Sequence, residues 1–308
     1  MSQALTYASV TGLDLEAERN KISFPVSRET QLSETHQFVS KFNRIAVPDP
    51  DNIGKTIPIG EVPVNRPYIP YGDTMDWIVQ EFENMEIPFK LRTSIIEKKN
   101  FNLYQEYIFD QVVTPPDGDG IAPMVIVHGS YVKGPPLAFY FGTYRFICSN
   151  GAIVSTGRKT HISVNSHNWS AIQTRGIHDD FRSALDHYSD VSNFYAKLTT
   201  VPLSETIDGI FKPKLIPFCI RKKVVGLLEE DGIVAINLPI NKPDGEKYKA
   251  LKEEDFFTPN FMTVTGEAST WDAYTRFTDI GSKLSSTNRI LIACKSIDRI
   301  FNKLEQVA

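Results

Sequence analysis

Apolar residues along the chain follow two periods, and the clearest stretch is residues 121–155, IAPMVIVHGSYVKGPPLAFYFGTYRFICSNGAIVS. Apolar and aromatic runs at 124–127 and 137–147 flank Gly134-Pro135-Pro136. Their alternation and β-branched or aromatic content predict two strands joined at that break. Asn150-Gly151 then predicts a tight turn with Gly151 at positive φ. Upstream, Met75, Ile78, Val79, Phe82 and Met85 recur on one helical face, Asp73 or Thr74 can cap it, and Pro88 ends it. Residues 89–96 and 102–113 are β-prone, with Lys98-Lys99-Asn100 between them as a hairpin turn. The local order is a β-meander with a helix to cover one face.

Helical spacing returns at 178–198 through Phe181, Leu185, Tyr188, Val191, Phe194 or Tyr195, and Leu198, with Asp179 and Asp180 suited to the positive end. It recurs after Thr270 (Trp271, Tyr274, Phe277, Thr278) and after Asn288 (Ile290, Ala293, Cys294, Ile297, Ile300, Phe301, Leu304). Residues 1–33 are polar, with a short apolar run at 22–26. Phe38, Val39 and Phe42 make one short helical face, and 46–72 is rich in proline and glycine. Residues 240–260 are charged and predict a surface excursion. The pattern as a whole predicts an α+β fold: an antiparallel meander covered by helices, with a helical C-terminal layer at about 270–304. Residues 1–72 are expected to be an extended arm and connector, and 73–308 the main domain.

Composition refines the class. Hydrophobic content of 41% and charged content of 23% suit a soluble globular protein of one large domain or two modest ones. No run of about 18 apolar residues predicts a membrane span, and the N-terminus has no secretory pattern. Cys148, Cys219 and Cys294 stand far apart in apolar surroundings, so reduced, buried thiols and a cytoplasmic location are expected. The net charge of −4 is uneven: −7 over 1–120, +6 over 121–225 and −3 over 226–308. A basic middle between acidic ends suits a polyanion.

Catalytic patterns are missing. Gly54-Lys55-Thr56 has Asp49 where a phosphate loop needs glycine, and no apolar strand precedes it. C-x-x-C, H-E-x-x-H and G-x-G-x-x-G after a strand do not occur. His128-Gly129-Ser130 lacks an accompanying G-x-S-x-G elbow. Enzymatic activity is therefore not the default expectation, and no metal or cofactor is assigned. The central third instead interleaves aromatic residues with cations, the combination that holds single-stranded nucleic acid by base stacking and phosphate neutralisation. The candidate binding residues are Lys133, Tyr144, Arg145, Arg158, Lys159, His161, Arg175, Arg221, Lys222 and Lys223.

Residues 145–151, RFICSNG, fit the string R-[VIF]-[VI]-C-[SA]-N-[GT]. With Gly142 in the preceding aromatic run, His161 and basic residues after it, and the segment Thr270-Trp271-Asp272-Ala273-Tyr274 with Thr278, this resembles the phage/plasmid-like protein family over roughly 60–304. The C-terminal segment is similar to that family's T-x-W-[DE]-x-[YN]-N-A-[VL]-T-[ED] helix. Thr275-Arg276 replaces the usual Asn-Ala, and Gly281 stands near the family's histidine. The resemblance implies a gene of a phage, plasmid or integrated element in a prokaryotic host, and no established reaction. The element order is also similar to phage single-strand annealing proteins of the RecT and lambda Beta type, which bind DNA as oligomers; this is an analogy of fold. The leading expectation is a non-enzymatic single-stranded DNA-binding protein acting as a homo-oligomer, without membrane association. The rivals are a phage structural or assembly protein and an inhibitor that binds a host factor.

Overall fold

A computed structural model of the chain describes residues 8, 10–32, 39–49, 51–97, 101–112, 120–145, 150–153, 161–164, 178–186, 188–212, 214–284, 296–297 and 299–301. The fold is α+β, with antiparallel sheets and a helical C-terminal region. The main sheet contains β4 (Phe89–Ile96), β5 (Leu103–Phe109), β6 (Ile121–Gly129) and β7 (Leu137–Arg145) in sequence order. Beyond β7, its far edge is shared: β8 (Asn150–Ile153) pairs with 142–145, and β9 (His161–Val164) pairs with 137–140.

Strand parity divides the side chains of this sheet between two faces. Leu103, Tyr107 and Phe109 of β5 share one face with Val125 and Val127 of β6 and Leu137 and Phe139 of β7. Helix α2 (Tyr71–Glu83) lies on that face, and Met75, Ile78 and Phe82 are its buried stripe. Pro70, extended at φ −60 and ψ 135, precedes the helix, and the Thr74 hydroxyl donates to its carbonyl at 2.6 Å. Phe82 sits 5.0–5.4 Å from the rings of Phe89, Tyr107, Phe109 and Phe181. The opposite face carries Tyr104, Ile108, Met124, Ile126, Tyr140 and Tyr144.

The N-terminal segment is not an extended arm and connector. It forms α1 (Leu15–Ile22) and a three-stranded antiparallel sheet of β1 (Ser27–Leu32), β2 (Val39–Pro48) and β3 (Thr56–Pro63). The helical face expected around Phe38, Val39 and Phe42 therefore becomes strand from Val39, while Phe38 itself lies outside the described residues. Prolines 58 and 63 stand in β3, at an edge of the small sheet, where a missing amide donor is tolerated. Ile22, Ile45 and Val62 join the α2 core, so this segment folds against its own chain. Gly54, at φ +81, helps turn β2 into β3, which is the structural role of the Gly54-Lys55-Thr56 sequence.

The break expected at Gly134 (φ +73) falls between β6 and β7; β4 and β5 pair antiparallel as expected, and the turn residues Lys98, Lys99 and Asn100 lie outside the described residues. The turn expected at Asn150-Gly151 is not found there: both residues belong to β8, where they stand opposite Arg145 and Tyr144 of β7, and 146–149 lie outside the described residues. The helix expected over 178–198 is two helices, α3 (His178–Asp186) and α4 (Tyr188–Thr200). The following segment adds α5 (Leu203–Phe211) and α6 (Phe218–Glu230), and α7 (Thr270–Ser282) is the helix expected after Thr270. Of the helix expected after Asn288, Ile297, Ile300 and Phe301 are described, helical and buried.

These C-terminal helices pack at the Ile121 end of the α2-facing side of the sheet. The Tyr195 hydroxyl of α4 is within hydrogen-bonding distance of the Thr143 hydroxyl on β7 and lies 3.1 Å from the Tyr274 hydroxyl on α7. Trp271 stacks on Tyr274 at 5.4 Å. Because Phe82 links α2, α3 and the main sheet, Phe82→Ala is expected to lower unfolding free energy by about 3–5 kcal/mol, the usual loss on truncating a buried ring. Chemical denaturation reads this directly; an unchanged midpoint would refute the packing described.

Candidate nucleic-acid interface

Those of the residues singled out from sequence that the structure describes do not converge on one groove. Lys133 is exposed in the β6–β7 turn, whereas Arg145 ends β7. Eight steps at ~3.3 Å place the two ends of β7 ~26 Å apart. His161 stands opposite Tyr140 in the β7–β9 ladder. Arg158, Lys159 and Arg175 lie outside the described residues.

Two of the candidates are core residues. Tyr144 is 4% exposed and lies under the Arg92 guanidinium at 4.8 Å, so its ring is closed to a stacking base. Arg92 in turn pairs with Glu106, which also accepts from the Thr93 hydroxyl at 2.8 Å and the Tyr104 hydroxyl at 2.6 Å. Arg221 is 0% exposed. It donates to the carbonyls of Ile216 (3.1 Å) and Phe211 (2.6 Å) and to Glu253 (2.9 Å), over the Phe256 ring at 5.0 Å. Its guanidinium satisfies the exit of α5 and cannot also meet a phosphate. Burial depresses its pKa, opposed by Glu253.

The neighbouring lysines are different. Helix α6 turns Ile220, Arg221, Val224, Val225 and Leu228 inward and leaves 219, 222, 223, 227 and 230 along its outer side. Against this side packs a 3₁₀ turn, Lys247–Ala250, within the segment expected to be a surface excursion. Contact is possible because residue 226 is glycine: a Cβ there would come within 2.7–2.8 Å of the Tyr248 ring. The Lys222 ammonium donates to the Lys249 carbonyl at 2.7 Å and lies 5.7 Å from the centre of the Phe218 ring. Phe218, Cys219, Lys222, Lys223, Tyr248 and Lys249 enclose an open cleft of about 380 Å³. Nearby, Lys214 covers the half-exposed Phe257 ring at 5.5 Å. Lys249 also pairs with Glu246 at 3.2 Å, and Lys247 with Asp244 at 2.7 Å.

The cleft thus joins three ammonium groups to two partly exposed rings. Phe218, Tyr248 and Lys249 were missed in the sequence because they belong to different elements and 240–260 shows no periodicity. The stripe 219, 222, 223, 226 and 230 on α6 was the available signal. Cys219, expected to be buried, is exposed at this cleft, while Cys148 and Cys294 lie outside the described residues.

Beneath the cleft, Glu229 is 9% exposed, and its Oε2 has no hydrogen-bond partner among the described residues. Burial raises its pKa above the ordinary carboxylate value. The backbone amides of Tyr248 and Ile236 and the charge of Lys247 oppose the shift, and Asp244 adds to it.

Among the described residues, no helix is long and apolar enough to cross a membrane, and no group of three or more His, Cys, Asp or Glu is placed to hold a metal ion. No protein-family model matches the chain, and neither does any curated protein or solved structure. Fold and site together define an α+β chain of antiparallel sheets with a lysine-and-aromatic cleft on its C-terminal helical layer.

Arg221→Ala is expected to lower stability by about 2–5 kcal/mol, because two carbonyls of the helical core lose a charged donor. Lys222→Ala, one residue away, should stay within about 0.5 kcal/mol of wild type. Denaturation of the two variants side by side checks the contrast.

Glu229 also sets a pH dependence. The folded chain binds its proton more tightly than the unfolded chain, so the group's contribution is fully present below the ordinary carboxylate pKa. It is lost as pH rises through the raised value. Melting temperature followed from about pH 4 to pH 7 should therefore show a decline that Glu229→Gln flattens.

Proposed function

We propose that this chain is a non-enzymatic single-stranded DNA-binding protein that holds the strand along the outer side of α6. The observation that carries this reading is the cleft in which Lys222, Lys223 and Lys249 surround the rings of Phe218 and Tyr248. Ammonium groups neutralise phosphates, and flat side chains stack on any base, so such a cleft suits a strand without demanding a sequence. The resemblance of residues 145–151 to the phage/plasmid-like family, and the positive balance of residues 121–225, support the same reading; the first is also the ground for proposing a mobile element of a prokaryote as its source. Strand annealing by a homo-oligomer in the host cytoplasm extends it.

A second reading, a phage structural or assembly protein, is favoured by exposed apolar groups on the N-terminal sheet. Ile53 is fully exposed beside Gly54 in the β2–β3 turn, and Phe42 and Val64 are about half exposed at the other end of that hairpin.

Fluorescence anisotropy of a labelled oligonucleotide across a salt series separates the two. Lys223→Glu and Lys249→Glu are expected to weaken binding similarly for unrelated sequences. Each should make the slope of log affinity against log salt shallower by roughly 0.7 for each phosphate contact removed from a single strand. Lys21→Glu, on α1, should change neither quantity. Absence of affinity for wild type at about 50 mM salt would overturn DNA binding and favour the assembly reading.

A further inference from the structure

The cleft does not end at Tyr248. A second depression of about 310 Å³, lined by Lys223, Leu227, Glu230, Tyr248, Asp279 and Ile280, adjoins it, and the two share Lys223 and Tyr248. Together they form a groove along α6, from Cys219 near its start to Glu230 at its last residue. Eleven steps at about 1.5 Å rise make this ~16 Å long.

The two halves differ in charge. One end holds Lys222, Lys223 and Lys249; the other has an apolar floor, Leu227 and Ile280, with the carboxylates of Glu230 and Asp279 at its edge. Asp279 pairs with Lys283 at 2.6 Å, while Glu230 is exposed at the end of α6, its side chain beside Gly245. A phosphate is attracted to the lysine end and repelled from the carboxylate end. A nucleotide lying in the groove is therefore oriented, with its backbone at the lysines and its base over Tyr248, Leu227 and Ile280.

Resting on the DNA-binding reading above, we infer that the carboxylate half is a base-selective subsite, in which Glu230 accepts a hydrogen bond from the exocyclic amino group of a base. An ionised carboxylate is acceptor-only. It rewards the N4 amino group of cytosine and repels the O4 carbonyl that thymine presents at the same position. The Tyr248 ring, held against α6 by the absence of a side chain at Gly226, supplies the stacking surface for either base. The groove thus discriminates amino-bearing bases from thymine while reading no longer sequence.

The test compares oligo-dC with oligo-dT of equal length at neutral pH by fluorescence anisotropy. Wild type is expected to bind oligo-dC about tenfold more tightly, the scale of one charge-assisted hydrogen bond. Glu230→Gln should bring the two affinities together, because an amide can donate to O4 as readily as it accepts from N4. Tyr248→Ala should weaken both oligonucleotides alike and leave their ratio in place. Equal wild-type affinities, or a ratio unchanged in Glu230→Gln, would overturn base selection while leaving DNA binding standing. Failure to bind either oligonucleotide would instead overturn the underlying reading.

Discussion

The structure depends on β6, whose nine residues are all buried. A strand with no solvent-facing side must be covered twice, and the rest of the described fold supplies that cover. On one face, Val125 and Val127 lie under α2, while Ile121 lies under the C-terminal helices. Phe181 of α3 adds to the α2 side by touching both Phe82 of α2 and Phe139 of β7. On the other face, Met124 and Ile126 pack among Tyr104, Ile108, Tyr140 and Tyr144, with Val10 and Leu284 against them. Burying this much apolar surface also encloses Glu106, and the donors of Arg92, Thr93 and Tyr104 converge on it because an ionised carboxylate without partners is costly in such surroundings.

Residue types used for nucleic-acid recognition serve two unrelated purposes in this chain. Arg221, Arg92, Tyr144 and Trp271 act inward, where guanidinium groups satisfy carbonyls and carboxylates and rings fill volume. Lysines 222, 223 and 249 stay at the surface, consistent with the stronger hydration of a compact ammonium group. The same segment, 221–223, divides between the two roles because adjacent residues on a helix point about 100° apart. Arg221 falls on the inner side of α6 and the lysines toward the outer.

Much of the fold was legible in the sequence. Alternation identified β4 to β7, the period of 3.6 identified α2 and α7, and Gly134-Pro135-Pro136 identified the break between β6 and β7. These signals are local, since each depends on how one segment meets water and a core. The small N-terminal sheet was not legible. Its strands are polar or carry prolines, and it is held by Ile22, Ile45 and Val62 reaching a core built by residues far along the chain.

The candidate site divides in the same way. Sequence determined that the cations cluster at 221–223 and that aromatic residues abound, but not which of them face water. Tertiary structure decided that Arg221 and Tyr144 are interior, that Lys133 and Arg145 stand at opposite ends of one strand, and that Tyr248 and Lys249 meet α6. The physical reason is that a groove is a property of two surfaces. Tyr248 lies twenty-two positions after Gly226, and only their packing reveals that the missing side chain at one position makes room for the ring at the other.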